Sequence, residues 1–311
     1  MIKKKLKRIE GLTLVEILIG VVVSSLMMAA IYTTYSIVNT SYNQVLEKAK
    51  VSRSSRDLIE LLIRDTRMAG YKYYLGDNEL GFPKESYLEF IGGATTVKDS
   101  HDPIAIFQNT LGHNIGDTIP TPPMKHNSDD TCCDKIHIVY DDFNQNDTNQ
   151  PYKRYKVTYY ALPTSDGSNS DGSTKNPRYA VYKSKISWRQ NISSDTGSWV
   201  ADCSECYHNE LIRDYVEDME FVALDKEGKV LIPYPTPTTD AGRENLYKVK
   251  AIDIRIAFIS EKPFFRFDSR EGNERELSGF SRGIKLFSDR NLRDNIVVTV
   301  YTRNIVGQDI F

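Results

Sequence analysis

A twenty-residue apolar run directly behind a cluster of lysines limits most strongly what this chain can be. Residues 3–8 read Lys-Lys-Lys-Leu-Lys-Arg, and from Leu12 to Ile31 the only interruptions are Thr13, Glu16, Gly20, Ser24 and Ser25. Twenty helical residues rise about 30 Å, the thickness of a bilayer core. Basic residues ahead of a span hold that end in the cytoplasm, so the bulk of the chain is expected to be exported. Two plain readings compete. A secretory signal peptide needs a small-residue cleavage site after a shorter apolar core. Here Met27-Met28-Ala29-Ala30 runs on into more helical sequence. A simple signal anchor leaves Glu16 unexplained, because a carboxylate inside an apolar span is costly and calls for a cationic partner.

The run Gly11-Leu12-Thr13-Leu14-Val15-Glu16 resembles the processing site of type IV prepilins and type II secretion pseudopilins. The resemblance implies cleavage after Gly11 by a prepilin peptidase, with Leu12 as the new, N-methylated first residue. It also implies that Glu16, fifth in the mature chain, pairs with the amine of a neighbouring subunit. Leu12 departs from the phenylalanine usual at that position.

Beyond Tyr35 the pattern turns amphipathic. Val38, Tyr42, Val45, Leu46 and Ala49 recur at three- and four-residue spacing, followed by Leu58, Ile59, Leu61, Leu62 and Ile63. No proline precedes Pro83, and Gly70 is the first stop signal. One helix over residues 12–70 is expected, about 85 Å long at about 1.5 Å per residue, with a transmembrane span near 12–34. Its last turns, Ile63-Arg64-Asp65-Thr66-Arg67-Met68-Ala69-Gly70-Tyr71, resemble those of PilW-type minor pilins.

From residue 71 to 311 the period becomes two, which predicts an exported β-rich head with long loops and an overall α+β class. Expected strands are 87–91, 104–107, 135–140, 152–161, 179–186, 217–224, 248–259 and 295–305. A helix is expected near 205–216. Residues 108–131, 141–150, 163–177, 190–207 and 266–294 read as loops, with Ser165–Lys175 mobile. The stretches Leu211–Met219, Ala251–Ile256 and Asp289–Arg293 again resemble PilW-type proteins.

Charge and cysteines bound the chemistry. The leader, residues 1–11, carries a net +4, and the whole chain −2, so the remainder is mildly acidic at −6. That charge does not favour nucleic acid. Tyr152, Tyr155, Tyr159 and Tyr160, interleaved with Lys153, Arg154 and Lys156, make a basic-aromatic strand; one face of an ordinary sheet explains it as well as base stacking does. The four cysteines, Cys132, Cys133, Cys203 and Cys206, lie in the exported part, where disulfides are the default. Ties from 132/133 to 203/206 would close the longest loops and remove the most chain entropy; a local Cys203–Cys206 bridge and a zinc site are alternatives. Asp142, Asn144 and Asn146 are spaced like the start of a calcium loop, but Asp147 and Lys153 stand where an EF-hand needs Gly and Glu. Gly279-Phe280-Ser281-Arg282-Gly283 matches G-x-S-x-G without the strand-to-helix context of an esterase elbow. No triad, phosphate loop or dinucleotide fingerprint is present, so neither an enzyme nor a cofactor is expected.

The resemblance therefore implies a PilW-like minor pilin. Its partners would be other minor pilins, the major pilin, the prepilin peptidase and the inner-membrane assembly platform. It would be held in the inner membrane by one span and then be carried at the cell surface on a pilus, with a role in starting assembly at the tip. A GspJ-like pseudopilin and a signal-anchored exported enzyme or receptor are the alternatives.

Overall fold

The computed structural model describes residues 13–71, 102–109, 132–143, 152–170, 172, 174–191, 196–265, 274–280 and 282–305. The leader and the expected strand at 87–91 lie outside them. Helix α1, Leu14–Met68, is continuous over 55 residues. It stops where the sequence placed a stop. Gly70 is left-handed at φ +73°, and a Cβ there would sit 3.0 Å from Ile305 Cγ1 and 3.2 Å from Pro103 Cβ. Only glycine combines that dihedral with that approach.

By its contacts the chain divides into two compact units, 1–49 and 50–311. In the first, the apolar side chains of α1 are exposed throughout, from Leu14 to Val45. The second contains the last nineteen residues of α1 and a sheet. Its strands are β1 (Ile104–Phe107), β2 (Lys135–Phe143), β3 (Tyr152–Thr164), β4 (Arg178–Asn191), β5 (Thr196–Val200), β6 (Tyr207–Leu224), β7 (Ala251–Ile259) and β10 (Arg293–Tyr301). The order is β1-β2-β3-β4-β6-β7-β10, with β5 extending from β4. Every pairing is antiparallel. A hairpin of β8 (Arg275–Ser278) and β9 (Ile284–Phe287) interrupts the β7–β10 connection. The molecule is thus α+β, a long helix with an antiparallel sheet.

Alternation puts Ile136, Ile138, Val157, Tyr159, Met219, Phe221, Ile254, Ile256 and Phe258 into one core with Val51, Leu58, Ile59 and Leu62 of α1. Each such side chain contributes roughly 1.5–3 kcal/mol by leaving water. An ion pair also enters this apolar layer. Asp65 on α1 accepts from Tyr159 Oη at 2.6 Å and pairs with Lys183 Nζ at 2.8 Å. Burial and the adjacent Asp65 charge push the Tyr159 phenol far above its ordinary range, so it stays protonated and donates. The pair fixes how α1 is rotated and advanced on β3 and β4, which apolar contact alone specifies weakly.

Three expectations change. Residues 207–216 belong to the 18-residue strand β6, not to a helix. The strand is bulged against β4, and Asn209 (φ 52°) and Tyr215 (φ 59°) are left-handed. Those two residues break the two-residue alternation, and the remaining pattern imitates a helix. Residues 190–207 and 266–294 contain β5, β8 and β9 rather than loop alone. A short helix, α2 (Asp240–Leu246), was not foreseen; Thr239 Oγ1 caps it by accepting from Gly242 N at 3.1 Å. The segment after β3 is also stitched, by Asp166 N to Lys175 O at 3.0 Å and Lys175 N to Gly167 O at 2.8 Å.

Asp65→Ala strands Lys183 in the core and is expected to destabilise the chain by about 3–5 kcal/mol. Tyr159→Phe, which leaves the ion pair in place, is expected to cost about 1 kcal/mol. Denaturant unfolding of the purified full-length protein in detergent checks both. Similar losses for the two variants would contradict the role given to Asp65.

Candidate functional site

The first turn of α1 holds the one carboxylate of the apolar run. Thr13 N donates to Glu16 Oε2 at 2.9 Å, Thr13 Oγ1 donates to the same oxygen at 2.9 Å, and Glu16 N donates to Thr13 Oγ1 at 3.3 Å. This is a capping box, with Thr13 as the cap and Glu16 three residues on. Two backbone donors at the helix start find acceptors, and the carboxylate sits at the positive end of the helix dipole. The sequence carried the signal, Thr-x-x-Glu before an apolar run. Among the described residues of this unit nothing shields the helix: Leu14 is 75% exposed and Ile31 69%. The helix is long and apolar enough to cross a membrane. Gly11 and Leu12 lie outside the described residues.

The cysteines pair locally. Cys132 bonds to Cys133, and Cys203 to Cys206. Loop entropy favours the long ties, but the sheet forbids them. Asp134 N donates to Met219 O at 2.8 Å, which puts Cys133 beside the middle of β6. Cys206 directly precedes Tyr207 at the start of that strand. Through the β6 bulges that stretch is matched by Tyr179–Lys185 of β4 and Ile256–Phe258 of β7, which span roughly 26 Å, against a Cα–Cα limit near 7 Å for a disulfide. The sulfurs of Cys132 and Cys133 and an Asp218 oxygen lie within 4.8 Å of one another. They do not make a metal site as they stand, because the sulfurs are bonded to each other and Asp218 is taken by arginines.

The other singled-out residues fall into structural places. Asn144 and Asn146 lie outside the described residues, and Asp142 faces Lys153 across the β2–β3 ladder. Neighbouring Asp141 is buried against Arg154 with contacts of 2.7 and 3.1 Å. Tyr155, Tyr159 and Tyr160 are buried, so they offer no stacking surface. Gly279-to-Gly283 is the turn of the β8–β9 hairpin, closed by Gly279 N to Gly283 O at 2.7 Å. Two strands flank it, where a nucleophile elbow needs a strand and a helix.

That turn carries something the sequence reading missed. Arg282 inserts into the sheet face opposite α1, where it pairs with Asp134 and Asp218. Phe280 N donates to Glu220 Oε2 at 2.8 Å. Arg255 of β7 shares the same acids, at 2.8 Å from Asp218 and 3.4 Å from Glu220. All five side chains are at most 6% exposed. Three carboxylates against two guanidiniums leave one excess negative charge in a buried place. Asp134 bears the consequence: desolvation pushes its carboxyl up to about 6, against the opposing pull of Arg282 and the Phe221 and Asn109 amides. The visible signal was Asp218 and Glu220 at i and i+2, alternating with Met219 and Phe221 in β6.

No known protein-family model matches the chain, and no curated protein sequence matches it either. Among solved structures, a type IV-like pilin from Thermus thermophilus is similar at a TM-score of 0.37 and 10% identity, covering 82% of this chain and 98% of its own. A likeness that slight says nothing about what the chain does.

The folded chain binds the Asp134 proton more tightly than the unfolded one, whose carboxyl titrates near 3.8. The stabilisation from this group is therefore complete below about pH 4 and is lost as pH rises through about 6. Asp134→Asn is expected to remove that decline. Subtracting the thermal midpoints of the variant from those of the parent across pH 4–7 reads it directly; a flat difference would refute the assignment.

Proposed function

We propose that this chain is a membrane-anchored, filament-building subunit of the type IV pilin class, and within it a PilW-like minor pilin that helps start pilus assembly at the tip. The observation that carries the reading is the first turn of α1. A lone carboxylate, Glu16, opens an apolar helix that no other described residue of its unit covers. Lipid can cover such a helix, and so can the helices of other subunits. Lipid alone gives Glu16 no purpose. A neighbour's amine, delivered at one height along the axis, gives it one, and sets axial register between subunits.

The capping box supports this reading physically. Before assembly, Thr13 satisfies one Glu16 oxygen within one chain, so the carboxylate is partly capped as the helix enters a bilayer. Only Oε2 is occupied by these bonds. Cleavage after Gly11 would remove the +4 leader and create an α-amine next to Thr13. The work done is structural: insertion, register and docking. The head, with ten strands among its described residues and 18-residue β6, would be the part presented outside.

Mass spectrometry of the membrane-extracted protein checks processing. A mature form beginning at methylated Leu12 is expected; an intact N-terminus, or a cut elsewhere, would overturn the pilin reading. Glu16→Ala is expected to be cleaved and inserted normally yet to reduce surface pili at least tenfold, scored by shearing and electron microscopy. Normal piliation in that variant would remove the register role.

A further inference from the structure

The β8–β9 hairpin is held by different chemistry at its base and at its tip. At the base, Arg293 pairs with Asp289 at 2.7 Å and lies 3.6 Å from the Phe287 ring centre, and Arg275 bonds to Asp289 O. Arginine keeps its charge throughout the range in which proteins fold. Against desolvation, the hydrogen bond and charge of Arg293 hold the Asp289 carboxyl below its ordinary range. The base therefore stays paired in mild acid. At the tip, Arg282 pairs with Asp134 and Asp218 and donates to Met219 O at 3.3 Å, while Phe280 N donates to Glu220 Oε2 at 2.8 Å. The remaining ties are few. Asn295 Nδ2 donates to Ser278 O at 3.2 Å, and Leu277 is the one buried apolar side chain among the described residues of the hairpin. On the outer face Ile284 and Leu286 are exposed, and a Cβ built on Gly283 would meet nothing within 4 Å.

The charges at the tip do not match one to one. Arg282 serves two carboxylates, and one guanidinium neutralises one of them. Asp218 has a second cation in Arg255 of β7, at 2.8 Å, which Glu220 shares at 3.4 Å. Asp134 has only Arg282 among the described residues. The neighbouring Lys135 turns to the Phe107 ring, and the amides of Asn109 and Phe221 complete the surroundings of Asp134. The carboxyl is 1% exposed, so water cannot compensate its charge. A proton can.

We infer that the tip of the β8–β9 hairpin is a proton-gated clasp, which closes on the sheet when Asp134 takes a proton from water and opens about its arginine-tied base when Asp134 ionises. Opening returns Asp134 to water, where it titrates near 3.8; in the closed clasp desolvation raises it to about 6. Closure thus binds a proton. The contribution is complete below about pH 4 and is lost as pH rises through about 6. The base does not titrate in that window, so the tip moves and the hinge stays. The inference rests on the head alone and stands or falls separately from cleavage after Gly11.

Amide hydrogen exchange of the full-length protein in detergent, corrected for the intrinsic rate at each pH, tests this without any substitution. Protection of the Phe280 amide, which donates across the clasp, is expected to fall at least tenfold between about pH 4.5 and about pH 7.5. At each pH it is expected to stay at least tenfold below that of the β7 amides. A flat Phe280 profile would overturn the inference. So would equal protection at Phe280 and in β7, because the tip would then open only with the whole sheet. Asp134→Asn is expected to hold Phe280 at the parent's acid level across the range; a remaining slope would place the gate elsewhere. Arg282→Gln is expected to abolish Phe280 protection at every pH while β7 keeps its own, and retained protection would show that Arg282 does not close the clasp.

Discussion

Water does not accommodate a helix whose whole circumference is apolar, and the first three turns of α1 leave no face polar enough to meet it. Among the described residues of their own compact unit nothing covers them. The rest of the molecule follows from this constraint. The segment is long and apolar enough to cross a membrane, and a water-stable domain folds beyond it. The helix makes both possible by changing character along its length: apolar all round at first, then one-sided where Val51, Leu58 and Leu62 reach the sheet. A single element therefore belongs to two environments, and its sequence records both.

Much of this was legible because helix and strand periods are physical consequences of side-chain geometry. The long helix and its glycine stop could be read from spacing, and so could the strands from β1 to β4, the second half of β6, β7 and β10. The first half of β6, residues 207–216, could not. Its bulges and its two left-handed residues, Asn209 and Tyr215, erase the alternation on which strand recognition depends. The pairing of the cysteines stayed open in the sequence for a different reason. Chain entropy rewards long loops, yet β6, even with its bulges, keeps the two cysteine pairs beyond disulfide reach of each other. The hairpin of β8 and β9 was hidden by the charges that hold it. Arg275 bonds to Asp289 O, and Arg293 pairs with Asp289 and Glu217, so residues that look solvated in sequence are ties in the fold.

The candidate site divides in the same way. Glu16 stood out because charge inside an apolar run is rare for an energetic reason. Its bond to Thr13 lies three residues away and needed no tertiary knowledge. The buried acids did need it. Asp134 and Arg282 are 148 residues apart, and only the sheet brings them together. A pair that distant carries no local pattern beyond two acids on one face of β6.

The two polar clusters that flank the sheet do different work for the same physical reason. An apolar layer tolerates sliding, because one methyl contact replaces another at little cost, whereas a buried ion pair has one geometry. Asp65 and Lys183 fix the helix on one face. On the other, Arg282 enters between Asp134 and Asp218 and fixes the hairpin.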